Sequence, residues 1–250
     1  MKIYSRMFTL QSSRRMQQGM SLVELMVAVT IALFMMLSFI AVFINMKTTF
    51  ITQDAMSQLQ DRERLVMTVL TSTTQQTGYF PYPETSNRAD NFIVRNDTTP
   101  KMIAGQVLSG ISNALPASDV LAFRYLTKSG DNTTDCFGNT NTSGTDQAMF
   151  HLFTVNGNNQ LTCQVGDTNL NSQQPVAIAS DIDSLSVLYM IDTQDASKPY
   201  QYKKASDVTD WSQVKAVKIT VRFENTIPQF GTNTIDWSQT INLMNNYDDI

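Results

Sequence analysis

The run from Gly19 to Met46, GMSLVELMVAVTIALFMMLSFIAVFINM, decides the fold of this 250-residue chain. From Leu25 to Met46 it holds 22 residues without an Asp, Glu, Lys or Arg. As a helix these span about 33 Å, enough for a hydrocarbon core of about 30 Å. One acid, Glu24, stands at the start of the run, where a carboxylate costs about 2.5–3.5 kcal/mol on insertion scales. A chain that keeps such a charge needs something to offset it.

The flanks set a topology. Residues 1–19 carry Lys2, Arg6, Arg14 and Arg15 and no acid, whereas only Lys47 follows the run closely before Arg62. The positive-inside rule then leaves the N-terminus in the cytoplasm and exports everything after Met46, with the membrane-spanning part at about 25–46. A secretory signal peptide fits poorly: its apolar core is shorter, about 7–15 residues, and AVF at Ala41–Phe43 is a poor small-x-small cleavage site. A plain single-pass anchor accounts for the helix but for neither Glu24 nor the Gly19–Met20 junction.

GMSLVELMVA (Gly19–Ala28) resembles the type IV prepilin signal: a basic leader ending in glycine, an apolar residue, glutamate at the fifth place after the junction, then an apolar helix. In that family a membrane-embedded prepilin peptidase cleaves after the glycine and N-methylates the new first residue. The resemblance therefore implies cleavage between Gly19 and Met20 and methylation of Met20. It also makes Glu24 an assembly residue. The new α-amino cation on Met20 and the Glu24 carboxylate of a neighbouring subunit can offset each other's burial, and an acid in the first helical turns complements the helix dipole.

No Gly or Pro occurs between Met20 and Thr77, and Gly78, Pro81 and Pro83 supply the stop. The expected organisation is a basic leader (1–19), a long N-terminal helix (20–78) and an exported β-rich domain (79–250). From Met56 the helix turns amphipathic, with Leu59 and Val66 seven apart and a charged turn at Asp61–Arg64. A two-stranded coiled coil is disfavoured because Glu63 interrupts the Met56–Glu63–Leu70 heptad series.

Past Gly78 the pattern is that of strands. VLAFRYL (Val120–Leu126), MFHLFTV (Met149–Val155), SLSVLYMI (Ser184–Ile191) and IDWSQTINL (Ile235–Leu243) are short β-branched and aromatic runs. In VKAVKITVRF, Val217, Ile219, Val221 and Phe223 alternate with Lys218, Thr220 and Arg222, predicting one buried face. Between Lys128 and Gln147, 16 of 20 residues are Ser, Thr, Asn, Asp or Gly, a loop. Cys136 lies in it and Cys163 in the strand-like QLTCQV. In a cytosolic protein they would be reduced thiols; on the exported side they are expected to pair, stapling a mobile loop to the sheet for about 3–4 kcal/mol. The predicted class is α+β, pilin-like, a long helix packed on an antiparallel sheet domain. Beyond the signal, TGYFPYP, SDVLAFRY, IASDIDSLSVLYMID and DWSQVKAVKITVRF resemble, in order, the PilW group of minor pilins, relatives of the J-type minor pseudopilin of type II secretion.

Chemistry is sparse. From Tyr79 onward there are 18 acidic and 11 basic residues, scattered, so no basic stripe suggests direct nucleic-acid binding. The single histidine, His151, has no Cys/His cluster for a metal and reads as a structural strand residue. GxSxG, GxxxxGK[ST] and HExxH are absent. GDNTTD (Gly130–Asp135) offers oxygens for calcium but lacks the EF-hand glycine and glutamate, so it reads as a solvated polar loop. Asn96, Asn132 and Asn141 begin glycosylation sequons of little weight. Met26, Met35, Met36 and Met46 are lipid-facing or helix-packing surface. No catalytic residue, metal or cofactor is expected, and the chain is read as a non-enzyme. The resemblance implies partners: prepilin peptidase, other minor pilins, the major pilin, a PilY-type tip protein and the inner membrane. It implies a role in initiating or capping a pilus, with the J-type pseudopilin and an unprocessed membrane-anchored binding module as alternatives.

Overall fold

A computed structural model describes residues 19–82, 84–96, 99–115, 118–167, 173–193, 200–225, 227 and 233–245. The leader, apart from Gly19, lies outside them. The chain divides into two compact units, Met1–Ile51 and Thr52–Ile250, and helix α1 (Leu22–Gln75) contributes to both.

In the first unit every helical side chain from Leu22 to Ile51 is exposed. The segment is long and apolar enough to cross a membrane. Its hydroxyls turn inward on the helix. Thr30 Oγ1 donates to Val27 O (2.8 Å), Ser38 Oγ to Phe34 O (3.0 Å), and Thr48 and Thr49 to the carbonyls of Ile44 and Asn45 (2.9 Å each). Past the first turn these hydroxyls and the helical backbone are satisfied within the helix, the condition a helix meets in hydrocarbon.

In the second unit α1 buries one stripe, Leu59, Glu63, Val66, Met67, Leu70, Thr73 and Thr74, at the three- and four-residue spacings of a single helical face. The charged turn divides. Glu63 points inward, Arg62 pairs with Asp181, and Asp61 and Arg64 are exposed. Gly78 ends the segment at φ +73°, with its N–H on Arg124 O (2.9 Å); a Cβ there would lie 2.8 Å from Asn245 O, so glycine is required twice over.

Where a single antiparallel sheet is expected from sequence, there are two. The first is an antiparallel meander of β1 (Leu108–Leu115), β2 (Ser118–Thr127), β3 (Gln147–Val155), β4 (Gln160–Gly166) and β5 (Val176–Ser180). The second has the order β7 (Gln201–Lys203), β6 (Ile182–Ile191), β8 (Val214–Glu224), β9 (Thr234–Asn242), again antiparallel. The chain changes sheets at one residue. Ser180 ends the first ladder, Ile182 begins the second, and Asp181 between them has φ +58°. That left-handed corner turns the strand out of its sheet.

The helix stripe and the inner faces of both sheets share one core, including Leu121, Phe123, Phe153, Val187, Val217, Ile219, Val221 and Phe223. In β8 the alternation read from sequence is realised: Val217, Ile219, Val221 and Phe223 are wholly buried. β2 is buried along its whole length. Its second face, Val120, Ala122 and Leu126, packs under the irregular segment after Gly78 through Met102, Phe92 and Val107. Side chains also join the sheets. Asp119 of β2 accepts from the Val187 N–H of β6 (2.7 Å), and Ser118 Oγ accepts from the Leu185 N–H (3.0 Å).

Candidate assembly site

The N-terminal residues singled out in the sequence sit at the open end of α1. The helical ladder begins at the Ser21 carbonyl, which accepts from the Leu25 N–H (3.2 Å), and Glu24 lies in the first turn. Met20 is 63% exposed. A Cβ built on Gly19 meets nothing within 4 Å. The fold therefore imposes no demand for glycine there; any such demand comes from a molecule that handles the junction. Glu24 likewise faces no cation of its own chain among the described residues. What α1 presents is an uncovered apolar surface with one acid at its head.

On the second unit Cys136 and Cys163 form a disulfide. The loop it anchors is held by its own hydrogen bonds rather than left mobile. Asp131 accepts from the N–H groups of Lys128 and Thr133 (2.9 Å each) and from Thr127 Oγ1 (2.7 Å). Partial burial pushes its carboxyl up, but these donors win and hold it below the usual range. Asp135 accepts from Phe137 N (2.8 Å), Asn139 N (2.9 Å) and Asn139 Nδ2 (3.1 Å). The two acids of GDNTTD thus spend their oxygens on turns. Asn141, third of the sequon positions, is buried and donates to Thr127 O and Thr145 O.

His151 is wholly buried and stacked between Phe123 and Tyr125, with centroids 5.4 and 5.3 Å away. Neither ring nitrogen has a hydrogen-bond partner. Burial lowers its pKa to about 4, against the opposing charge of Asp135, so the ring is neutral at pH 7. It is an aromatic core residue.

Nothing in the sequence singles out Arg124 within VLAFRYL. Its guanidinium is buried and donates to the carbonyls of Gln106, Ile93, Phe92 and Ile103, with Phe92 stacked at 5.3 Å. One side chain thereby fastens the irregular segment 92–106 to β2. Burial first, and the charge of Arg95 second, pull its pKa down to about 10.

Comparison with known families meets this geometry at both ends. The family described as prokaryotic N-terminal methylation motif matches residues 14–40, the leader's end and the uncovered half of α1. The family described as type IV pilus-assembly protein W (PilW) matches residues 149–233, from β3 through β8. The two matches support a PilW-like minor pilin of the type IV pilus class. No curated protein gives a significant match. The PilW-like segment holds the sheet-changing corner at Asp181 and the fully buried face of β8, so the match falls on the part whose packing brings the two sheets together. Likeness to a PilW-type pilin implies interaction with other pilus components in general.

Proposed function

We propose that this chain is a non-enzymatic subunit that initiates or caps a type IV pilus. It enters the inner membrane as a single-pass prepilin with its N-terminus in the cytoplasm. Prepilin peptidase cuts between Gly19 and Met20 and methylates Met20, and the exported domain reaches the cell surface in the filament.

One observation carries the reading: a helix whose apolar half is uncovered on every side begins with an acid that has no partner in its own chain among the described residues. A lipid-embedded anchor gains nothing from that acid. A subunit that packs beside another gains a counter-ion, the neighbour's N-terminal amine, and with it the offset that burial of both charges requires. The neighbours are other minor pilins and the major pilin, with a PilY-type protein at the tip.

The test is the N-terminal mass of the chain from membranes and from sheared pili. Processing gives a methylated chain starting at Met20, and Gly19→Val leaves the leader attached. A wild-type chain that starts at Met1 sinks the proposal. Loss of surface pili and twitching on deletion supports a pilus subunit; lost protein secretion with motility intact assigns the chain to a type II pseudopilus instead.

A further inference from the structure

The second unit carries a groove of about 890 Å³ between α1 and β9. Met56, Leu59, Glu63 and Met67 form its helical wall; Ile235 and Trp237 form the other. These two lie on the inner face of β9, opposite the buried Phe223 and Val221 of β8. The outer face of the same strand is polar: Asp236 pairs with Arg222 at 2.7 Å and Ser238 bonds Thr220 at 2.8 Å. Trp237 is thus an apolar, inward-facing side chain left 47% exposed, with room beside it.

β9 is also, among the described residues, a free sheet edge, and an unguarded one. Among the described residues its ladder is to β8 alone, through nine pairs in unbroken register. Proteins blunt edges by brevity, bulges, prolines or lysines. β7 is three residues long, β1 and β5 have register shifts, and β5 is only five residues long. β9 has nine residues and contains no Pro, Lys or Arg. A helix laid in the groove would leave those edge amides and carbonyls unpaired; an extended chain would satisfy them while sending alternate side chains against α1.

The groove floor selects among extended chains. Glu63 is 6% exposed, and burial raises its carboxyl pKa above the usual range. The groove's basic residue, Arg64, stands exposed at the rim. A cation entering beside Trp237 meets both a carboxylate and an indole face. A second copy of β9 brings no cation, which argues against pairing of this strand with itself.

We propose that the groove receives an extended segment of a different, neighbouring pilin, which joins β9 as a fifth strand and directs a lysine or arginine to Glu63. The pattern sought is apolar–x–basic–x–apolar. This rests on the reading of the chain as a filament subunit.

The test uses the full-length chain in its native membranes with photoreactive p-benzoylphenylalanine in place of Gln239, which lines the groove. Irradiation followed by mass spectrometry should give a crosslinked peptide from another pilin with that pattern. Glu63→Lys should weaken the crosslink by about tenfold or more, because it sets like charges together. Non-reducing electrophoresis checks that the variant keeps its Cys136–Cys163 bond. Where it does not, Trp237→Lys, at a half-exposed site, is the deciding variant, with the same expected loss. Crosslinks only to a second copy of this chain or to lipid, or a crosslink undiminished in the variants, overturn the proposal. The N-terminal mass of the same sample separates the two readings. A chain starting at Met20 without a crosslink refutes strand addition alone; a chain starting at Met1 refutes the subunit reading and this inference with it.

Discussion

His151 allows a sharp test of how the core is built, because it is the only histidine in the chain. Its pKa is lowered from an ordinary 6.5 to about 4 by complete burial between Phe123 and Tyr125. Above pH 6.5 the ring is neutral folded and unfolded, and it adds no pH dependence. Below that, the unfolded chain takes up a proton that the folded chain refuses. Stability therefore falls as pH drops from about 6.5 and levels off below about 4. The interval at about 1.4 kcal/mol per unit gives roughly 3 kcal/mol lost in all. His151→Phe keeps a flat ring in the stack and removes the proton site. Urea midpoints of the detergent-solubilised chain and the variant, followed from pH 7 to pH 4, should separate as the pH falls: the variant holds its midpoint further into acid. Carboxylates titrate in both proteins and cancel in the difference. Equal acid sensitivity of the two proteins would refute the reasoning and imply that the imidazole finds water or an acceptor.

Arg124→Met leaves buried carbonyls without a donor and should cost about 1–3 kcal/mol for each that finds no other, read as a fall in urea midpoint with early proteolysis in the segment that Arg124 fastens. A loss under about 1 kcal/mol would mean that its four carbonyls find other donors. Paired Cys136→Ser and Cys163→Ser substitutions should cost about 3–4 kcal/mol by releasing a 27-residue closure, measured the same way; an unchanged midpoint would remove the staple's role. Glu24→Ala should leave membrane insertion intact but lower the share of this subunit in sheared pili relative to membranes, and an unchanged ratio would return Glu24 to an incidental interfacial charge.

What could be read from sequence was whatever repeats. The uncharged run, the uninterrupted helix and the alternation in β8 are periodic signals, and each fixes an element locally. β1 carries a weaker signal: LSGISNAL mixes apolar and small polar residues, and it is a strand by its pairing with β2, with Gly110 leaving room for the Tyr189 hydroxyl. Glu63 reads in the sequence only as an interruption of a heptad series, because the β9 residues that share its groove come some 170 residues later in the chain. Arg124 was hidden for the same reason. Its partners are carbonyls of an irregular segment, and a backbone carbonyl leaves no mark on the residue letters. The division into two sheets went unseen because the chain passes from one to the other at a single residue, Asp181, whose left-handed φ has no mark in the residue letters.

That corner has a mechanical side. Asp181 Oδ2 holds Arg62 of α1 at 2.7 Å, and its carbonyl accepts from the Glu224 N–H at the end of β8 (2.9 Å). As a half-buried surface ion pair this adds little to equilibrium stability, about 0–1 kcal/mol. Under tension its position counts for more than its energy. It fastens α1 to the residue between the end of β5 and the start of β6, which also holds the end of β8, so a pull carried by this pair is felt by both sheets. With a single residue between β5 and β6, the two sheets have little slack to swing apart from each other.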